Sequence, residues 1–202
     1  LYSVSRGIER VGATAQLTAD AAMVEAAQLL ILPGVGAFAH GMAELERRAL
    51  VEPIRRYAAS GRPFLGICLG MQLMFEVSEE FGEHRGLGLL PGRVRAIPTN
   101  GTDGAPHKIP HIGWNRIIRP GAAPAWAGTV LAGISEESAM YFVHSFTAHP
   151  DTSDRIADAD YDGCTISAVA GRGRLFGCQF HPEKSGETGL AILANFVAMA
   201  SP

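Results

Sequence analysis

The sequence predicts an α/β fold: one domain with a central, mostly parallel sheet, helices on both faces, and added antiparallel strands in the second half. Three observations carry this. Short apolar runs alternate with helical patterns through the first half, as in a βαβ chain. Strand-like segments separated by turn chemistry fill the second half. The 202 residues are 47% hydrophobic, enough to bury one sizeable core.

The elements follow in order. "LYSVSRGIERVG" places Leu1, Val4, Ile8 and Val11 on one helical face and stops at Gly12. "ATAQLT" reads as a short strand. Asp20 can cap the helix "AAMVEAA". "QLLIL" is an apolar run bounded by Pro33 and Gly34, as expected of a buried strand. Residues 36–60 are helix-rich, with Pro53 interrupting or opening a second segment. "PFLGI" is the next buried strand and "LGMQLMFEVSEE" the helix after it. "GRVRAIP", "GWNRIIRP", "AMYFVHSFTAHP", "CTISAVA" and "RLFGCQF" read as strands, with "AGRGR" a hairpin loop between the last two. "TNGTDGAP" is a surface loop, and "ETGLAILANFVAMA" the last helix.

Composition narrows the function. A net charge of −3 with scattered Lys and Arg offers no basic face for nucleic acid. The longest apolar runs are too short to span a membrane, and no signal peptide opens the chain. Three widely separated cysteines, Cys68, Cys164 and Cys178, make neither a disulfide framework nor a zinc site. A reducing, cytoplasmic compartment is expected.

"GICLG" sets Cys68 between Gly66 and Gly70 where a strand meets a helix. That is the pattern of a nucleophile elbow, in which a strained turn presents the reactive side chain. The amide of the next residue, Leu69, can face a developing oxyanion. A buried structural cysteine fits the same residues about as well. A thiolate needs a base, and seven histidines are available. His107 and His111 lie four apart, but Ile109-Pro110 breaks the helix that would align them on a metal, so no metal site is expected. His40, His84 and His149 sit in polar or loop context. His144 shares a strand face with Phe142 and Phe146 and reads as a packed histidine. His181 follows the strand "LFGCQF" and precedes Pro182-Glu183, at a strand end where α/β folds keep their chemistry. Glu183 could orient its imidazole, as the third member of a triad.

"PFLGICLGMQLMF" with "QFHPEKSG" resembles the class I (triad) glutamine amidotransferases. "LPGVGAF", "PHIGWN" and "YFVHSF" bring the resemblance closer to one branch, the glutaminase subunits of imidazole glycerol phosphate synthase. The likeness runs over nearly the whole chain. It implies a flavodoxin-like domain over residues 1–202 with no cofactor. In it Cys68 would attack the carboxamide of L-glutamine, His181 would carry the proton and Glu183 would hold His181. Leu69 and the peptide joining Gly34 and Val35 would form the oxyanion hole. Gly36, Gln72, Glu80, Ser145 and Phe146 would meet the substrate. For Glu80, a solvated carboxylate at a helix end is as good a reading. The implied partner is a (β/α)₈-barrel cyclase subunit, in a heterodimer. Ammonia would pass to it to form imidazole glycerol phosphate and AICAR. Trp114 and Lys184 are candidates for the docking face, against the plainer readings of a core tryptophan and a solvated lysine.

Family members open with a short apolar strand and a Gly-rich turn, so this sequence is expected to be truncated at its start, its first strand missing. Three alternatives stand beside the glutaminase: the subunit of another class I amidotransferase, a cysteine-elbow hydrolase or redox protein of another kind, and a silent partner module. Intact Cys68, His181 and Glu183 speak against the last.

Overall fold

A computed structural model describes residues 2–121 and 125–200. Its elements are α1 (Tyr2–Arg10), α2 (Ala21–Ala26), β1 (Leu30–Gly34), α3 (Phe38–Arg47), α4 (Val51–Ala59), β2 (Phe64–Cys68) and α5 (Leu69–Leu73) in the first part of the chain. Then come β3 (Phe75–Ser78), β4 (His84–Arg85), β5 (Leu90–Ala96), β6 (His111–Ile118), β7 (Ala139–His144), β8 (Phe146–Pro150) and β9 (Arg155–Tyr161). The chain closes with β10 (Cys164–Arg172), β11 (Leu175–Cys178), a 3₁₀ turn (Pro182–Lys184) and α6 (Gly186–Ala198).

Among the described residues, a seven-stranded sheet runs β1-β2-β11-β10-β9-β6-β7, and a smaller one runs β4-β3-β5-β8. The pairs β1–β2 and β2–β11 are parallel, and the rest of the larger sheet is antiparallel. All five residues of β2 are buried, as the continuous apolar run "FLGIC" requires of a strand covered on both faces. Its side chains alternate between two apolar layers. Leu65 and Ile67 pack in a layer with Val4 and Ile8 of α1 and Ile192, Leu193 and Phe196 of α6. Phe64 packs in the other, with Val24 of α2, Phe38 and Met42 of α3, and Ile54 and Tyr57 of α4. The sheet is thus sandwiched, and the carboxyl end of its parallel core opens at Cys68.

Several local readings hold in detail. The Asp20 carboxylate accepts from the amides of Ala22 (2.8 Å) and Met23 (3.1 Å), capping α2. Gly173 and Arg174 make the turn between β10 and β11. Two readings do not. Residues 13–19, "ATAQLTA", form no strand: Leu17 is exposed and no described strand takes their backbone bonds. The helix after Cys68 ends at Leu73, and Phe75–Ser78 pairs with β4 and β5 instead. The physical reason lies in "FEVS". Phe75 and Ser78 are buried while Glu76 is exposed, and an aromatic and a β-branched residue suit a pleated surface better than a helix.

Candidate active site

The elbow forms as its glycines demand. Cys68 ends β2 with φ 54° and ψ −114°, a left-handed conformation that non-glycine residues rarely adopt. A Cβ on Gly66 would lie 2.7 Å from the Gly70 carbonyl oxygen and 2.7 Å from the Met74 sulfur. A Cβ on Gly70 would overlap the Leu32 carbonyl oxygen. A side chain at either position would push β2, α5 and β1 apart. Both glycines are therefore explained by the turn, and the strained residue between them is the cysteine.

The Cys68 sulfur is largely buried, 3.9 Å from the Val143 carbonyl oxygen and 3.9 Å from Nε2 of Gln179. His181 Nδ1 lies 2.9 Å from Oε1 of Glu183, both side chains nearly fully buried. His181 Nε2 is buried and has no hydrogen-bond partner among the described residues. A carboxylate only accepts, so the Nδ1 proton points at Glu183, and Nε2 remains to exchange a proton. Burial acts to lower the His181 pKa, but the Cys68 sulfur and the Glu183 carboxylate outweigh it and raise the value to about 9. This folded value lies above the ordinary 6.5. The proton therefore stabilises the fold below about pH 6.5, and that contribution is lost as pH rises through the folded value. Glu183→Gln removes one of the raising influences. A downward shift of the His181 titration by NMR is expected, and an unchanged titration would show that Glu183 does not act on the ring.

The turn carrying His181 is held from β7. The His181 amide donates to the Tyr141 carbonyl (2.9 Å), the Tyr141 amide donates to Ser185 Oγ (3.0 Å), and Ser185 Oγ–H donates to the His181 carbonyl (2.7 Å). Gly7 of α1 lets that helix approach: a Cβ there would meet Leu193 at 2.8 Å and Glu183 at 3.3 Å.

The other expected residues gather around the elbow. Gly34 pairs in register with Cys68, and a Cβ on it would meet Leu69 at 3.0 Å. Val35 is 79% exposed beside it, and Gly36 has φ +98°, a conformation that favours glycine. Leu69 opens α5, so its amide lies in the first turn, where amides have no acceptor within the helix. Glu80 is no solvated helix-end carboxylate. It is buried and lies on no helix, and its Oε2 accepts from the Phe38 amide at 2.6 Å. It thereby caps α3 just after Gly36, where Ala37 has no side chain to do so. Gln72 Nε2 donates to the Phe146 carbonyl (3.0 Å) and to Gln179 Oε1 (3.0 Å), which leaves its oxygen to meet a ligand. The carbonyls of Ser145 and Phe146 are already engaged, by the Ile97 amide (2.9 Å) and by His144 (2.8 Å) with Gln72.

Trp114 is 59% exposed and meets Tyr141 edge-on at 6.0 Å, and the exposed Lys184 places its ammonium 5.9 Å from the other side of the contact, the Tyr141 ring. The core reading of the tryptophan is thus corrected. Its neighbour Ile112 is half exposed on the same strand. His107 and His111 do not converge on one point. His107 bonds Asp162 (3.1 Å) and the Pro98 carbonyl (2.6 Å), whereas His111 faces His144 at 3.0 Å. Gln179, Ser185 and the partnership of His111 with His144 escaped sequence reasoning. Gln179 alone had a signal: it stands two residues before His181, on the same side of an extended segment.

The model of the family "Glutamine amidotransferase class-I" matches residues 2–200. The chain is 49% identical over 198 residues to "Imidazole glycerol phosphate synthase subunit HisH 1" of Legionella pneumophila (strain Lens), covering 98% of this chain and 93% of that one. It is 48% identical to the HisH subunit of Syntrophotalea carbinolica, covering 97% and 93%. Among solved structures, a glutamine amidotransferase crystal structure superposes with a TM-score of 0.73 at 15% identity, covering 100% of this chain and 94% of that one. PurLQS from Thermotoga maritima superposes at 0.68 and 18% identity, covering 98% and 91%. At these identities the two structures speak for the fold.

Proposed function

The chain belongs to the class I glutamine amidotransferases, and within them to the HisH-type glutaminase subunits of imidazole glycerol phosphate synthase in histidine biosynthesis, and on that premise we propose that Cys68, His181 and Glu183 hydrolyse L-glutamine to glutamate and ammonia. One observation carries the assignment of roles: a strained, largely buried cysteine on the elbow, with a buried imidazole whose Nδ1 is bound to Glu183 and whose Nε2 is free to exchange a proton.

Below about pH 9 His181 is an imidazolium whose Nε2 already holds the proton given up by the Cys68 thiol, and the sulfur attacks the carboxamide carbon as a thiolate. The carbonyl becomes an oxyanion, which accepts from the Leu69 amide and from the Gly34–Val35 peptide once that peptide turns its N–H inward. When the C–N bond breaks, the His181 imidazolium gives its proton to the departing nitrogen, and ammonia leaves. Water then attacks the γ-glutamyl thioester, with His181 again as base. The C–S bond breaks, glutamate departs and the thiol is restored. Gln72, through its remaining oxygen, suits the α-ammonium of glutamine. Gly36, Glu80 and the Ser145–Phe146 backbone complete the pocket. Since both carbonyls there are occupied, their contribution is through N–H groups and shape.

The partner in this reading is the cyclase barrel, in a heterodimer seated on the face that carries Ile112, Trp114 and Lys184, the last two meeting at Tyr141. Large exposed apolar side chains around a catalytic mouth support docking there. A cytoplasmic setting accords with three free cysteines, and no described helix is long and apolar enough to cross a membrane. Docking with the acceptor ribonucleotide bound favours the turned Gly34–Val35 peptide and so completes the oxyanion hole. One such donor is worth about 3 kcal/mol, a rate gain of roughly a hundredfold or more. Glutamate release at saturating glutamine is therefore expected to rise by that factor when cyclase and its substrate are added. Full activity of the subunit alone would refute gating by the partner.

A further inference from the structure

His111 and His144 take no chemical part in the mechanism above, yet they sit in a hydrogen-bond chain whose every direction is forced. His144 Nδ1 is 2.8 Å from the Phe146 carbonyl, which can only accept, so the ring proton is on Nδ1. Burial lowers the His144 pKa to about 3 and the His111 pKa to about 4, so both rings are neutral. His144 Nε2 is then an acceptor, and His111 Nδ1, 3.0 Å away, must donate to it. That leaves His111 Nε2 as an acceptor. It faces Asn115 Nδ2 at 3.4 Å, an amide oriented by its bonds to the Asp160 carbonyl (2.6 Å) and from the Arg116 amide (2.7 Å).

At its other end the chain continues inward. Phe146 O takes its second bond from Gln72 Nε2, Gln72 Nε2 also donates to Gln179 Oε1, and Gln179 Nε2 points at the Cys68 sulfur. The His111 ring is clamped between Tyr161 (4.1 Å) and Phe142 (4.9 Å), so its orientation is fixed by packing as well. The chain starts on β6, the strand that exposes Ile112 and Trp114, and ends at the nucleophile.

We propose that His111 and His144 are positioning residues that hold the Phe146 carbonyl, and through it Gln72 and Gln179, in register with Cys68, and so tie the partner-facing strand β6 to the nucleophile. The inference rests on the glutaminase reading above. It places a polar connection between docking face and reaction centre on the β6–β7 side, separate from the Gly34–Val35 peptide.

The first test is spectroscopic and uses the unaltered protein. Long-range ¹H–¹⁵N spectra at neutral pH are expected to show both rings as neutral Nδ1–H tautomers. An Nε2–H tautomer or an imidazolium at either position would overturn the chain. The second uses the complex with cyclase. His111→Phe keeps the stacking between Tyr161 and Phe142 but neither donates nor accepts. It is expected to lower kcat/KM for glutamine hydrolysis by roughly tenfold, the size of one lost buried hydrogen bond, through a lower kcat as Gln179 shifts at the sulfur and a higher KM as Gln72 shifts at the substrate. His111→Asn restores a donor near the Nδ1 position and is expected to recover most of that loss. Wild-type kcat/KM in folded His111→Phe, or equal loss in both variants, would overturn the proposal. Failure of the unaltered complex to release glutamate would instead refute the glutaminase reading itself.

Discussion

Cys68→Ser, assayed in the complex with cyclase, is expected to release glutamate at least roughly 10⁴-fold more slowly than the unaltered protein, and His181→Asn to lose about as much. The reasoning is chemical. Serine keeps the volume and the elbow but replaces a readily ionised thiol by a hydroxyl that His181 cannot deprotonate efficiently. Asparagine at 181 cannot take the thiol proton or return it to the leaving nitrogen. The two residues act as one unit, so the double variant should be no slower than either single one. Serine nearly matches the cysteine in volume, so Cys68→Ser should melt close to the unaltered protein, whereas His181→Asn takes the cation from the buried Glu183 carboxylate and should melt lower. Residual activity above about a hundredth of the original in either variant would remove that residue from the mechanism.

Gly70→Ala carries the largest expected effect on stability. The added methyl would overlap the Leu32 carbonyl oxygen, and Leu32 is itself locked in register with Gly66 across β1 and β2. Backbone must move, and movement there disturbs the buried strand at the centre of both apolar layers. We expect a loss of at least about 3 kcal/mol, or roughly 6–12 °C in melting temperature for a chain of this size. Gly104→Ala is the comparison. Gly104 has φ +82° but nothing within 4 Å of a Cβ, so only about 1–2 kcal/mol of stability is lost, to backbone strain. Equal melting temperatures for the two variants would mean that the elbow does not require its second glycine.

These contrasts show which parts of the molecule are legible in one dimension. Gly66, Cys68 and Gly70 lie within one turn of chain, so their spacing alone encodes the elbow. Asp20 caps a helix that starts at the next residue, and His181 is oriented by Glu183 two residues on. The chemistry of these features is local, and local pattern finds it. Glu80 bonds an amide 42 residues away, Gln72 meets Gln179 across 107 residues, and His111 meets His144 across 33. No periodicity marks such partners, because the contact exists only after the sheet is assembled. "MFEVSEE" misleads for a related reason. Its run after the elbow continues a helical pattern, and only the partners β4 and β5, which the assembled sheet supplies, draw it into a strand instead. Trp114 could be placed only by the fold, since an aromatic on an alternating strand faces either core or solvent according to register.

The chain holds three free cysteines in three environments, which makes one measurement decisive. Cys178 is fully buried, and burial pushes its thiol well above the ordinary range. Cys164 is half-buried at the start of β10, with its sulfur 3.6 Å from the Asn100 carbonyl and no imidazole among its hydrogen-bond partners in the described residues. Only Cys68 combines a strained elbow with an imidazole poised to take its proton. The protein should be treated with an electrophilic glutamine analogue, with and without excess glutamine, and mapped by peptide mass spectrometry. The account predicts one adduct, on Cys68, prevented by glutamine and absent from Cys68→Ser. An adduct on Cys164 or Cys178 at a comparable rate, or undiminished labelling of Cys68→Ser, would contradict it.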